Sequence, residues 1–284
     1  MRAIRRRAAA KVNLGLEVVG KRADGYHELV TIFQAIGLYD EVAVGAAPPG
    51  QIALAADPAL GGEGNLVLRA ARALAAHAGT SQGAALALVK GIPVGGLGGG
   101  SSDAAATLLA LREFWALDIT DEELAALATR LGADVPFFLR SGTALATGIG
   151  EVLTPLPPLA ATWFVLLTPE LALPADKTRQ LYAALTPGDF SDGSRTLAQA
   201  ERLRQGAPLD PALLANSFAG PLYRLFPALA EWRDRLLAAG AAWVLPSGSG
   251  PTLYTAATTE KAAHEIAARV AGVGARVMVV GVAS

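Results

Sequence analysis

The chain has 284 residues, 52% of them hydrophobic, and 24 basic against 25 acidic side chains leave a net charge of −1. That length can bury a large core, while the balanced charge gives no general attraction for nucleic acid and the absence of cysteine excludes disulfides, thiolate metal sites and cysteine nucleophiles. No apolar run approaches the ~18 residues of a membrane span, the basic start lacks a signal-peptide core and the three histidines show no metal spacing, so the expectation is a cytoplasmic enzyme of small molecules with no membrane, nucleic-acid or obligate protein partner.

Val12, Leu14, Leu16 and Val18 alternate with Lys11, Asn13, Gly15 and Glu17, which predicts a strand with one apolar face. Asp24-Gly25 marks a turn, and a second extended run follows from His27. Asn65 to His77 reads as a helix capped by Asn65 and stopped by Gly79. A strand "AALALVK" leads into the glycine-rich stretch Gly95–Gly100, and a helix is predicted from Ser102 to about Leu117. Thr120 with Glu123 forms a capping box for the next helix. Pro155, Pro157 and Pro158 suggest a joint, with the domain boundary placed between 157 and 158. Beyond it, helices are predicted near 212–215, 227–239 and 259–271, alternating with strands "AAWVLP", "PTLYTA" and "ARVMVVGV". Mixed elements in both halves predict α/β or α+β layers.

Five of the six residues from Gly95 to Gly100 are glycine, and they open directly on a helix. Free amides at a helix N-terminus, together with the helix dipole, suit a phosphate, and glycine lets the backbone approach it. The stretch is neither a Walker A loop, because Ser101 stands where lysine is required, nor a G-x-G-x-x-G fingerprint. A hydroxyl of Ser101 or Ser102 suits Mg²⁺ or phosphate, and one of them equally suits the helix cap. Asp134 sits in the apolar setting "ADVPFF", where a carboxylate needs a partner; an N-cap role competes with a catalytic one. Lys11 is either a functional ammonium or a solvated strand-edge charge. Asn13 shares its strand face.

"PVGGLGGGSSDAA" resembles the phosphate-binding motif of the GHMP kinases, and "AKVNLGLEVVGKRADGYHELVT", "LGADVPFFL", "GIGE" and "SGSGPT" follow the order of one branch of that family. That branch phosphorylates the 2-hydroxyl of a cytidine-diphosphate-linked methylerythritol in non-mevalonate isoprenoid synthesis, using ATP and Mg²⁺. The resemblance implies an N-terminal ATP-binding domain over 1–157, a C-terminal domain over 158–284 and an active site in the cleft between them. It implies Lys11 and Asp134 as the catalytic cation and acid. It implies nucleotide contacts from Asn65, Pro93, Gly95, Gly96, Leu97, Gly98, Gly99, Gly100, Ser101 and Ser102. Acceptor contacts are implied for Asn13, Tyr26, His27, Thr178, Tyr182 and Gly248, with the Tyr26-His27 pair holding the cytosine. Arg179 departs from the family pattern, which has a small residue or proline there. The glycine loop is also one residue shorter than that pattern between Pro93 and Leu97, so a glycine inserted after Gly95 is expected to be tolerated. Gly99→Val is expected to block phosphate approach and to strain a positive φ. Another small-molecule kinase of the family, such as a homoserine kinase, is the alternative; it needs no nucleobase pocket at Tyr26-His27. A non-catalytic nucleotide-binding protein is a third reading, against which the retention of both Lys11 and Asp134 speaks.

Overall fold

The computed structural model describes residues 3–57 and 62–283. Two compact units emerge. The first gathers the chain up to Ala10, Leu38–Pro93 and Gly98–Ser141; the second gathers Lys11–Gly37, Val94–Leu97 and Gly142–Ser284. Each unit is built from separated stretches of the chain. The physical reason is strand pairing within the second unit. In the antiparallel strand pair of β2 (His27–Gly45) and β5 (Thr143–Thr147), Thr31 pairs with Ala146, and β5 pairs in turn with β6 (Val152–Leu156). Pro155 therefore lies inside a strand, opposite Ala144, not in a joint.

In the first unit, Glu41–Gly45 of β2 pairs with β4 (Ala84–Val89), and β3 (Ile52–Ala55) runs parallel to β4. Among the described residues the unit also holds the helices α1 (Leu66–Ala78), α2 (Gly99–Phe114), α3 (Asp121–Leu131) and α4 (Val135–Arg140). The start of α1 follows the sequence reading, since Asn65 Oδ1 accepts from the Val67 amide at 2.8 Å and Gly79 ends the helix in the left-handed region at φ 60°. The Thr120–Glu123 capping box of α3 is formed in both directions. Helix α2 begins three residues earlier than expected and ends three earlier, because Gly98 at φ 75° takes the N-cap. Neither Ser101 nor Ser102 caps it; the Ser102 amide already donates to Gly98 O at 2.9 Å.

In the second unit, an antiparallel sheet runs in the order β10 (Ala275–Gly281), β7 (Trp163–Pro169), β9 (Leu253–Ala257), β8 (Leu245–Pro246). One face packs Val165 and Leu167 against Trp232 and Leu236 of α8 (Pro227–Ala238) and Ala263 and Ile266 of α9 (Glu260–Val270). A second cluster joins Leu16 and Val18 of β1 (Ile4–Lys21) to Leu29, Leu181 of α5 (Lys177–Ala183), Phe218 and Leu222 of α7 (Ala219–Leu225). Helix α6 (Ser194–Arg204) sets the Thr196 amide against Glu17 Oε2 at 2.6 Å, so the polar face of β1 is covered as well. The expected strand "AAWVLP" shrinks to Leu245–Pro246, since the Ala241 amide closes the end of α8 by donating to Leu236 O. The helix expected at 212–215 is a single 3₁₀ turn, Pro211–Leu213. Among the described residues no helix is long and apolar enough to cross a membrane.

Candidate active site

Alternation in β1 places Lys11, Asn13 and Gly15 on one face, and that face is buried, with Lys11 only 4% and Asn13 1% exposed. A solvated strand-edge lysine is thereby ruled out. Lys11 Nζ donates to Asn13 Oδ1 at 2.7 Å and to Gly96 O at 3.0 Å, and it lies 5.5 Å from the centre of the Phe33 ring. Asn13 Nδ2 donates to Thr31 Oγ1 at 2.8 Å, and Thr31 donates on to Gly15 O. Asn13, expected at the acceptor, is thus engaged at both ends of its amide in orienting the Lys11 ammonium.

Residues 94–97 bind to the same unit as Lys11. The carbonyls of Gly95, Gly96 and Leu97 accept respectively from the Thr252 amide, from Lys11 Nζ and Ser247 Oγ, and from the Lys11 amide. Gly96 takes φ 85°, where only glycine is at ease. Gly248, at φ 54°, lies against the same centre, since a Cβ there would come 3.3 Å from Lys11 Nζ and 3.6 Å from Asn13 Oδ1. Leu97 is buried, whereas Val94 is 90% exposed.

The second unit also assembles an aromatic group. His27 stacks on Tyr182 with ring centres 4.9 Å apart and planes at 29°, Phe190 meets His27 by its edge, and Phe218 meets Tyr182 likewise. Burial, then the charge of Lys21, lowers the His27 pKa, so the imidazole is neutral in the neutral range. Tyr26 is 60% exposed, and its amide donates to Asp24 Oδ1 in the expected turn. The structure brings His27 and Tyr182 together and leaves Tyr26 outside the stack. Thr178 Oγ1 lies 2.9 Å from Ser249 Oγ. Arg179, the departure from the family pattern, is an exposed residue that bonds Asp176 at 2.6 Å.

Asn65, Pro93, Gly98–Ser102 and Asp134 belong to the first unit. The first amides of an α-helix have no intrahelical acceptor. In α2 these are the amides of Gly99, Gly100 and Ser101, and two of the three residues have no side chain. Asp134 occupies the position before α4 with φ −81° and ψ −16°, and its side chain does not cap the helix. A cluster that the sequence reading missed lies beside Gly99. Lys90 Nζ bonds both Asp40 Oδ2 and Asp103 Oδ2, and Asp40 Oδ1 accepts the amides of Gly91 and Ile92 at 2.6 and 2.8 Å. Burial pushes Asp103 up to about 7 against the opposing pull of Lys90. An aspartate within the small-residue run "SSDAAA" was the available signal.

Gly99 is not among the positive-φ glycines; Gly96 and Gly98 are. The strain argued for Gly99→Val is therefore replaced by crowding, since a Cβ would come 3.1 Å from Lys90 Nζ and 3.3 Å from Asp40 Oδ2 and Ile92 Cγ2. Gly99→Val is expected to cost about 1–3 kcal/mol by overpacking and to raise the KM for ATP by displacing the cluster under the helix start. Urea unfolding and ATP kinetics check this; a variant normal in both refutes it.

The family models called GHMP kinases N terminal domain and GHMP kinases C terminal match residues 65–142 and 197–276. A 4-diphosphocytidyl-2-C-methyl-D-erythritol kinase of Dehalococcoides mccartyi is 41% identical over 260 residues, 91% of each chain. The chain belongs to the GHMP kinases. A kinase of the same name from a Nocardioides species is 41% identical over 276 residues, 94% of this chain and 93% of its own. Among solved GHMP-type structures, a 4-(cytidine 5'-diphospho)-2C-methyl-D-erythritol kinase superposes with a TM-score of 0.83 at 40% identity, covering 99% of this chain and 100% of the other. The homoserine kinase of Cytophaga hutchinsonii reaches a TM-score of 0.78 at 19% identity, covering 99% and 95%, which is a likeness of fold.

Proposed function

We propose that this GHMP kinase transfers the γ-phosphoryl group of ATP to the 2-hydroxyl of 4-diphosphocytidyl-2-C-methyl-D-erythritol, a step in non-mevalonate isoprenoid precursor biosynthesis. The observation that carries the acceptor assignment is the stacked His27–Tyr182 pair, joined through α5 to the turn at Gly248 within one unit. A flat base with polar edges suits such a group. Homoserine has no base to place there.

ATP supplies the phosphoryl group. Asp134 orients the attacking hydroxyl or takes its proton, and Lys11 stabilises the charge that develops; phosphoryl transfer rests on such positioning and electrostatics. Support for Asp134 is its place in the family motif "LGADVPFFL". Support for Lys11 is the buried bond to Asn13, which fixes its ammonium. The amides of Gly99, Gly100 and Ser101 fit the ATP phosphates, and Asn65 remains at the adenine by family motif alongside its capping of α1. For Mg²⁺, the described residues hold no cluster of three carboxylates or histidines. The donor set fits an ion that arrives on the nucleotide, with the half-buried Ser101 as the available hydroxyl, since Ser102 is 2% exposed. We place the reaction in the cytoplasm, with no nucleic acid, membrane or obligate protein partner.

His27→Ala is expected to raise the acceptor KM about tenfold or more, because base stacking on an aromatic side chain contributes roughly 1–3 kcal/mol, while the ATP KM stays within about twofold. Steady-state kinetics in both substrates test this. An unchanged acceptor KM with impaired ATP binding would place the wrong nucleotide in that pocket.

A further inference from the structure

We propose that Lys177 and Asn216 are positioning residues that hold the turn Pro246–Gly250 so that the Gly248 and Ser249 amides bind the diphosphate of the acceptor. This deepens the kinase reading above and rests on it.

Nearly every polar backbone atom of the turn is accounted for. Asn216 Nδ2 donates to Pro246 O and to Gly248 O, each at 2.9 Å. Ser247 O accepts the Gly250 amide at 2.8 Å. Lys177 Nζ donates to the carbonyls of Ser249 and Gly250, and to Ser249 Oγ at 3.2 Å. The Ser247 amide donates to Thr252 O at 2.8 Å. The amides of Gly248 and Ser249 remain, with no acceptor among the described residues. Gly248 is buried, and buried amides without a partner are rare in folded proteins. Two successive amides around a left-handed residue form an anion-binding nest.

Both holding side chains are themselves fixed. Asn216 Oδ1 accepts the Phe218 amide at 2.8 Å, and Asn216 and Lys177 are each 8% exposed. Lys177 is bonded to neutral oxygens only, and no carboxylate pairs with it among the described residues. A buried cation without a counter-ion is costly; an anion at the adjoining amides offsets that cost. Lys177 bonds oxygens of the turn itself, so its action on the ligand runs through the turn and through its charge.

Position selects the acceptor's diphosphate over the ATP phosphates. Lys177 opens α5, and Tyr182 of the aromatic stack lies five residues further on, about 7.5 Å along a helix. That is the scale of the ribose between a base and its diphosphate.

Calorimetric titration of the full chain with cytidine 5'-diphosphate, cytidine and ATP tests the proposal without turnover. In Lys177→Met the Kd for cytidine diphosphate is expected to rise about tenfold, because the turn loses the donor that holds its carbonyls and the site loses a positive charge, with cytidine and ATP within about twofold. Lys177→Arg, which keeps the charge, should retain most of the preference for the diphosphate. Equal weakening of cytidine and its diphosphate, no change in either, or a loss confined to ATP overturns it. Should Lys177→Met fail to fold, Asn216→Ala is judged by the same ratio. A protein that shows this ratio but does not phosphorylate the cytidylated acceptor refutes the kinase reading and leaves the nest standing; the reverse pattern refutes the nest alone.

Discussion

Replacing Asp134 by Asn is expected to lower turnover by about 10²- to 10⁴-fold, the range for loss of a general base, while the chain stays folded. The carboxylate precedes α4, where a cap would accept from the second or third amide of the helix. The second residue is Pro136, which has no N–H, and no capping bond is made. The cap of α4 is therefore not what the substitution removes. Lys11→Ala is expected to cut turnover as strongly and to destabilise as well. It leaves Asn13 Oδ1 and Gly96 O without this donor, at about 1–3 kcal/mol for a buried group left unsatisfied. Near-normal turnover in Asp134→Asn would remove that residue from the mechanism.

Gly96→Ala is expected to destabilise the fold by about 3 kcal/mol or more. A left-handed non-glycine residue under strain costs roughly 1–3 kcal/mol, and overpacking adds about 1–3 more. The residue holds φ 85°, and a Cβ would overlap the Ser247 carbonyl oxygen and lie 3.2 Å from the Gly250 amide. Both neighbours are backbone of a turn pinned by Asn216 and Lys177, so neither yields cheaply. The same register alters the expectation for the shortened loop. Gly95, Gly96 and Leu97 have their carbonyls bonded in sequence, so a glycine inserted after Gly95 breaks the set. One inserted after Pro93, beside the exposed Val94, is accommodated. Denaturant midpoints of the three variants provide the check. An insertion after Gly95 as stable as one after Pro93, or a Gly96→Ala chain of normal stability, contradicts the packing described.

Local signals in the sequence carried far. The Asn65 cap, the Gly79 stop, the Thr120–Glu123 box and the long extended runs depend on neighbours a few residues apart, and all of them form. Helix α5 was missed because "KTRQLYA" has no apolar stripe; its stability comes from Leu181, buried against Leu16 and Leu29. The burial of both faces of β1 was equally illegible, since the cover comes from α6, about 180 residues away. The site divides in the same way. The glycine loop and Lys11 announce themselves by motif, whereas Asn216 and Lys177 act on a turn distant in sequence, and Asp40, Lys90 and Asp103 meet across three segments. Asparagine and lysine in ordinary surroundings carry no signal until the chain folds.

The central claim is tested most directly by incubating the purified chain with ATP, Mg²⁺ and each of three acceptors, followed by phosphorus NMR of the products. The acceptors are 4-diphosphocytidyl-2-C-methyl-D-erythritol, methylerythritol phosphate without the cytidine, and homoserine. The account predicts one ADP per acceptor and a new phosphomonoester on the 2-hydroxyl with the cytidylated compound alone. Faster phosphorylation of homoserine, or ATP binding without transfer to any of the three, would contradict it.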